Sequence, residues 1–375
     1  MEKDKSICFI TTGDIKSIAT AKRALGLANH LSDLGWKVSI IMDDTEENRH
    51  RAALECDKRT EIFYMCYRSA FDELRKKNNL LKQIKPDVIY ICAFVFRNIV
   101  FPKHSCIRLV EHPEMQSAIN GISSLKRLRY LMIEYFSIVY STALLNASMY
   151  LQKHFRRLAT KLCRKKLPLF YFPYAYNGDV CKNVNENNLF VKTDGDGKYF
   201  VYLGSLTKNY GAFTMLKAFE IIHTEYPNYH LLLLGKGRDY QNVIDYIKKN
   251  NTQSYVHALG YVEEEDIATY FTLADAFISP MNDTVQDWAR CPSKLYMYLP
   301  YKKAIITCKI GEPYEVLKEK GIYFEPSSAE SLANAIRELS NKKSWDIDIN
   351  PLQHEWKQRA SDFDDWMKRT FYKTM

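Results

Sequence analysis

At 375 residues the chain is longer than one hydrophobic core usually serves, so two domains are expected. Its 46% hydrophobic, 13% aromatic and 26% charged residues, with 14 Gly and 12 Pro, exclude disordered, collagen-like and low-complexity classes. The net charge of +9 is lopsided: residues 1–175 hold 29 Lys and Arg against 17 Asp and Glu, whereas residues 176–375 hold 24 against 27.

In chain order, charged Met1 to Lys5 runs directly into the apolar segment Ile7 to Thr11 and does not read as a signal peptide. Thr12-Gly13-Asp14 is a turn signal, and Ala21, Ala24, Leu25, Ala28 and Leu31 follow at helical spacing up to Gly35. Val38–Ile41 is the next strand, which makes a parallel βαβ unit with a right-handed crossover. Ile62–Met65, a helix near 68–84, Val88–Cys92 and Ile107–Val110 extend a doubly wound domain. Residues 123–160 read as a helix, a strand-like segment from Tyr140 to Leu145, and a second helix. The apolar run Leu131 to Leu145 is too short, with Glu134 inside it, for a membrane span.

The polar segment 177–197 is expected to link the domains, as it is Asn-rich and ends in Asp194-Gly-Asp-Gly197. The alternation then restarts. Strands are expected at Tyr199–Leu203, His230–Leu234, Val256–Leu259, Ala276–Ser279 and Ala304–Thr307. Helices are expected near 212–225, 239–250, 263–273, 313–319 and 328–340. In the tail Trp356, Ala360, Phe363, Met367 and Phe371 share one helical face, which must pack against something. The fold class is α/β: two doubly wound Rossmann-like domains facing across a cleft, residues 1–176 with the returning 354–375, and residues 198–350. Ligands of open α/β sheets bind at the carboxyl ends of the strands.

The nine cysteines are scattered, with no Cys-x-x-Cys pair. This speaks against zinc ribbons and disulfide scaffolds and for a reducing compartment. No Asp-x-Asp loop or His and Cys spacing reads as a metal site, so no metal or other cofactor is expected. Gly204 and Ser205 end a strand before a helix start at Gly211. The segment is either a plain turn or a place for a phosphate. Arg290 and Lys294 flank a helix start at Pro292-Ser293, where cations are unfavourable unless an anion shares the site. They are either two exposed cations or holders of a diphosphate. Ten Lys and Arg lie between Lys126 and Lys166, with Glu134 the sole acid. This stretch is either a solvated helix face or a surface for anionic phospholipid, with Lys126, Arg127, Arg129, Arg156 and Arg157 as its cations. No nucleic-acid reader motif accompanies it.

Gly204-Ser-Leu206 with Gly211, Leu234-Gly-Lys-Gly237, Leu259-Gly-Tyr-Val262, Ala274-Asp275 to Pro280 and Pro292-Ser-Lys-Leu-Tyr296 together resemble retaining glycosyltransferases of the GT-B fold. The resemblance is to the family 4 group of bacterial polysaccharide enzymes. It spans essentially the whole chain and is densest across 199–325. It implies transfer of a sugar from a nucleotide-sugar donor to a saccharide or polyprenyl-diphosphate-linked acceptor in surface glycan synthesis. The place implied is the cytoplasm, at the inner face of the plasma membrane, without nucleic acid as a partner. By the same resemblance Arg290 and Lys294 in Arg290-Cys-Pro-Ser-Lys294 hold the diphosphate, and His112 in Glu111-His112-Pro113 orients the donor sugar. The donor side further includes Gly13, Gly204, Ser205, Lys208, Gly235, Ser293 and Glu312, with Asp14 beside Gly13. A structural role for His112 and for Glu312 is the competing account.

The chain departs from the family pattern at two places. Ser205 and Tyr210 replace an Arg–Lys pair, with Lys208 between them. Ala289 and Met297 replace two glutamates eight residues apart. A catalytically weakened partner subunit is therefore an alternative, as is a nucleotide-sugar epimerase of the same architecture.

Overall fold

The computed structural model describes residues 5–16, 20–178 and 196–372. The expected linker 177–197 lies mostly outside them. The described chain forms two compact units. One comprises residues up to Ala175, Ala289–Cys291 and the tail from Gln353; the other comprises Tyr176–Trp288 and Pro292–Leu352.

In the first unit the order is β1 (Lys5–Ile10), α1 (Thr20–Asp33), β2 (Trp36–Asp43), α2 (Glu46–Glu55), β3 (Glu61–Met65), α3 (Ala70–Ile84) and β4 (Val88–Ile91). Then come β5 (Ile107–His112), α4 (Ser124–Tyr140), β6 (Ala143–Asn146), α5 (Met149–Lys161) and β7 (Leu169–Tyr171). The seven strands form one sheet in the order β3-β2-β1-β4-β5-β6-β7. All of its pairings are parallel. Strands β1, β4 and β6 are wholly or largely buried, as expected of short aliphatic runs covered on both faces.

Two elements of this unit escape the sequence reading, as do the short α9 (Val285–Ala289) and β13 (Ile322–Tyr323) of the second. Helix α2 lacks apolar periodicity and buries only Asn48 and Ala52; it is started instead by Thr45, whose side chain accepts from the Asn48 amide. Strand β7 has three half-buried residues and no clear alternation. The strand expected from Tyr140 begins only at Ala143. Tyr140 closes α4 with its hydroxyl donating to the Val100 carbonyl at 2.5 Å.

The second unit runs β8 (Lys198–Leu203), α6 (Ala212–His223), β9 (Tyr229–Leu234), α7 (Tyr240–Lys249), β10 (Val256–Gly260), α8 (Glu264–Leu273) and β11 (Ala276–Ser279). The short α9 (Val285–Ala289) and α10 (Ser293–Tyr298) precede β12 (Ala304–Thr307), α11 (Gly311–Leu317), β13 (Ile322–Tyr323) and α12 (Ala329–Ser340). Its six-stranded sheet has the order β10-β9-β8-β11-β12-β13, again with parallel pairings throughout. In each sheet the order reverses beside the first strand, between β1 and β4 and between β8 and β11. This is where α/β sheets open toward ligands. No described helix is long and apolar enough to cross a membrane.

The tail helix α13 (Trp356–Phe371) packs on α1 of the first unit. Trp356, Ala360, Phe363 and Met367 join the cluster of Ile7, Phe9, Ala24, Leu25 and Ala28. Asp364 accepts from the Trp36 indole at 2.9 Å and pairs with Lys5 and Lys368. Gly26 faces the Trp356 ring so closely that a Cβ there would lie 2.5 Å from it. Removing that ring leaves a cavity between two helices. Trp356→Ala is therefore expected to cost about 3–5 kcal/mol, read as a lower urea midpoint. An unchanged midpoint would show that α13 is dispensable to the core.

Candidate functional site

The second unit gathers its polar candidates where β8 and β9 end. Gly204 (φ +146°) and Gly235 (φ +131°) follow the two strands, in backbone conformations that favour glycine. The Gly204 amide donates to the Leu234 carbonyl at 2.8 Å and the Gly235 amide to Gly260 at 2.6 Å. A Cβ on Gly235 would sit 2.2 Å from the Gly204 carbonyl oxygen, so the two turns touch backbone to backbone. A Cβ on Gly204 would meet the Lys294 ammonium at 2.9 Å.

That ammonium lies 3.9 Å from the centroid of the Tyr202 ring, whose hydroxyl donates to the Ser205 carbonyl at 3.0 Å. Helical spacing explains the reach of α10. Lys294 and Tyr298 are one turn apart on the same face. The Tyr298 hydroxyl accepts from the Leu203 amide at 2.9 Å, while its ring stacks on Phe277 at 4.2 Å. Both side chains therefore fasten α10 to the end of β8. The Ser205 hydroxyl oxygen lies 2.6 Å from where a Cβ on Gly237 would stand, and the Lys208 amide donates to Asp239 at 2.8 Å. Lys208 is exposed, and Ser293 is half-buried as the first residue of α10. Helix α10 spans only six residues.

Glu312 is fully buried and accepts from the Tyr296 hydroxyl at 2.7 Å. That bond joins α10 to α11. Met297 is half-buried on α10, while Ala289 is fully buried in the first unit's core. A glutamate at 289 would be a carboxylate in an apolar cluster.

In the first unit Gly13 (φ +78°) follows β1 and accepts from the Asn48 amide group at 3.1 Å; Asp14 accepts from the Lys16 amide at 2.9 Å. His112 ends β5, buried, stacked on Phe155 at 4.0 Å and 2.9 Å from the Ser137 hydroxyl. Burial, with His154 nearby, pushes its pKa down to about 3, so it is a neutral imidazole at ordinary pH. Arg290 lies beside Glu114, whose carboxyl is raised by burial and held back by the Arg290 charge. The neighbouring Ala289 carbonyl accepts from the Ser148 hydroxyl at 2.7 Å. Arg290 is thus assigned to the first unit and Lys294 to the second.

Two buried ionic networks escape the sequence reading. Arg23 pairs with Glu111 at 2.6 Å, and Glu111 also accepts from the Tyr90 hydroxyl at 3.0 Å. Burial raises the Glu111 carboxyl, with Arg23 opposing. Lys77, fully buried, donates to Glu73 at 2.7 Å, to Asn98 at 2.9 Å and to the Thr11 carbonyl at 3.1 Å. Burial lowers its pKa, with Glu73 opposing. In sequence Glu73 and Lys77 look like an ordinary solvated helix pair. The only hint is Leu81, which continues their face.

The basic stretch divides in two. On α4, Lys126, Arg127 and Arg129 are exposed. On α5, exposed Arg156 donates to the carbonyls of Lys165 and Leu167 at 3.0 and 3.1 Å, and Arg157 is exposed beside it. Among the described residues no group of three or more His, Cys, Asp or Glu is placed to hold a metal ion.

Residues 185–363 match the family model described as glycosyl transferases group 1. The matched stretch makes up a little under half of the chain. The fold over the whole chain is similar to that of sucrose-phosphate synthase from Thermosynechococcus elongatus, with TM-score 0.73, 15% identity, and 99% of this chain and 100% of that one covered. It is also similar to Anabaena HepE, solved in complex with UDP and glucose, with TM-score 0.69, 14% identity, and 98% and 99% covered. A curated relative, alpha-monoglucosyldiacylglycerol synthase from Acholeplasma laidlawii, is 25% identical over 72 residues, 19% of this chain and 18% of the relative. The matched stretch thus spans less than a fifth of that relative's length.

Two outcomes check this geometry. Gly235→Ala forces the Gly204 and Gly235 turns apart and is expected to cost about 1–3 kcal/mol in denaturant unfolding; no loss would refute the close approach. For His112, the unfolded chain binds a proton near pH 6.5 that the folded chain refuses until about pH 3. Stability therefore falls as pH drops from 6.5 toward 3. Its slope is steeper than that of His112→Gln by up to about 1.4 kcal/mol per pH unit. Equal slopes would mean His112 titrates normally.

Proposed function

We propose that the protein is a glycosyltransferase that moves a sugar from a nucleotide-sugar donor to a saccharide carried on a membrane lipid, of the polyprenyl-diphosphate kind, with retention at the anomeric carbon. The observation that carries this reading is the Lys294 ammonium held against Tyr202 at the Gly204 and Gly235 turns. Glycine at these turns lets the two chains and the ammonium come together, and a cation positioned in this way suits an anionic group. The family match over 185–363 supports a sugar-transfer chemistry, and HepE, solved with UDP and glucose, supports a uridine donor.

In the proposed reaction the bond between the anomeric carbon and the diphosphate oxygen breaks, and an acceptor hydroxyl oxygen bonds to the same carbon. The hydroxyl proton leaves with the diphosphate. Lys294 and Arg290 neutralise the charge that builds on the departing diphosphate. Gly204, Ser205, Lys208, Gly235 and Ser293 line the donor, Gly13 approaches its reacting phosphate, and Glu312 holds α10 in place. Neutral His112 offers a hydrogen bond to the donor sugar without adding positive charge near a cationic transition state. No metal takes part in this reading. It places the enzyme in the cytoplasm, at the inner face of the plasma membrane, in surface glycan synthesis, with the similarity to an alpha-monoglucosyldiacylglycerol synthase in support.

A thermal-shift panel of nucleoside diphosphates and their sugars tests it. One of them at a hundredfold excess over its Kd should add about 2.7 kcal/mol of stability. Lys294→Ala and Arg290→Ala should each lose most of that gain. Undiminished shifts in both variants would discard the assignment, and labelled-donor transfer assays would separate an enzyme from a donor-binding subunit.

A further inference from the structure

We infer that α4 is a membrane-docking helix that lies on an anionic bilayer with its apolar face in the lipid interface. The inference deepens the reading of a lipid-borne acceptor and rests on it for its purpose; the physical case stands on the helix itself.

The polarity of α4 is inverted. Leu125, Leu128, Met132, Tyr135, Phe136 and Val139 recur at spacings of three and four residues, hence on one face, and that face is the exposed one. Leu125 is 78% exposed, Met132 57% and Val139 58%. The inward face carries Glu134 and Ser137 instead, both buried beside Ile138. Glu134 accepts from the amide and hydroxyl of Ser117 at 3.0 and 2.8 Å, and Ser137 sits 2.9 Å from His112. The apolar patch continues beyond the helix. Phe96 and Phe101 are also exposed, with the Arg129 guanidinium 5.5 Å from the Phe96 ring and Phe101 edge-on to Tyr140.

Charge selects the occupant. Lys126, Arg127 and Arg129 are exposed on the first two turns, the helix end where cations are least favoured. The one acid of the helix, Glu134, is buried and bonded, so α4 shows solvent cations only. An apolar stripe flanked by cations matches an anionic phospholipid surface, into which aliphatic side chains insert while Lys and Arg reach headgroups. A second copy of the chain seated on this face by two-fold symmetry would set like charge against like charge. Helix α5 does not share the role. Leu151, Phe155 and Leu158 are buried, so it contributes charge without an insertion face. Because the inner face of α4 is bonded to Ser117 and His112, docking would hold the carboxyl end of β5 at a fixed height above the lipid.

The test uses the full chain and vesicles of phosphatidylcholine with or without phosphatidylglycerol. Wild type is expected to sediment with the anionic vesicles and to be released by salt. Leu128→Glu combined with Met132→Glu should lower vesicle partitioning at least about tenfold, since two acids replace inserted side chains at an anionic surface. The combined variant should keep the wild-type melting temperature and nucleotide shift, because both positions are solvent-exposed. Wild-type partitioning by the variant, equal binding to neutral vesicles, or a salt-stable dimer lost in the variant would each overturn the docking assignment. Loss of the nucleotide shift from wild type would sink the transferase reading and leave the vesicle result standing.

Discussion

The second unit depends on two turns being bare. Strands β8 and β9 end side by side and their chains continue in contact at Gly204 and Gly235, where a side chain on Gly235 would drive them apart and one on Gly204 would strike Lys294 and Tyr202. The space left at Gly204 is where the Lys294 ammonium rests, against the face of Tyr202. Such a contact contributes roughly 0.5–2 kcal/mol depending on how far water is excluded. Its larger consequence is order: the lysine is held near the turn before any ligand arrives. Tyr298 and Glu312 complete the arrangement by tying α10 to Leu203 and to α11. A cation fixed in this way loses little freedom on binding an anion, and that is the condition under which a charge stabilises a transition state most.

The first unit solves the corresponding problem with buried ions. Arg23 with Glu111, and Lys77 with Glu73, lie at or beside the carboxyl ends of β5 and β1, near the point where the strand order reverses. Buried pairs are stable only when hydrogen bonds saturate them. Lys77 meets this with Glu73, Asn98 and the Thr11 carbonyl, and with the Arg97 carbonyl farther off at 3.5 Å, while Arg23 adds the Pro173 carbonyl and the faces of Phe172 and Trp356. Since Trp356 belongs to the tail helix, α13 does more than cover α1: it closes one side of the cage around a buried charge.

Much of the architecture was legible because aliphatic runs and helical periodicity are strong signals. Both sheets, their parallel sense and the tail's apolar face follow from them. Helix α2 was not legible, since its cap and polar contacts leave no hydrophobic pattern. Within the site, Gly204 and Lys294 could be named from turn and helix-start chemistry, yet Tyr202, which orients the lysine, could not. An aromatic at a strand's end reads as core. Glu312 illustrates the opposite limit: its donor role was implied by the resemblance alone, and no local signal announced that its buried carboxylate would bond Tyr296. Local sequence reports which residue types are present at a turn, but the side-chain partner comes from an element some ninety residues away, as Lys294 does for Tyr202.

Helix α4 separates what folding requires from what it does not. Its inner face, through Ser137, Ile138 and Tyr140, already anchors it to the sheet, and Glu134 is compensated by Ser117. Leucine, methionine and valine on the outer face add little to that anchoring, since apolar surface stabilises only where water is removed, at roughly 25 cal/mol per Å². Polar residues there would fold equally well and would be more soluble. An apolar stripe that folding does not need, beside cations that the helix end disfavours, is explained by a surface that rewards both at once. The inversion of α4 is therefore a property of the molecule's surroundings written into its surface.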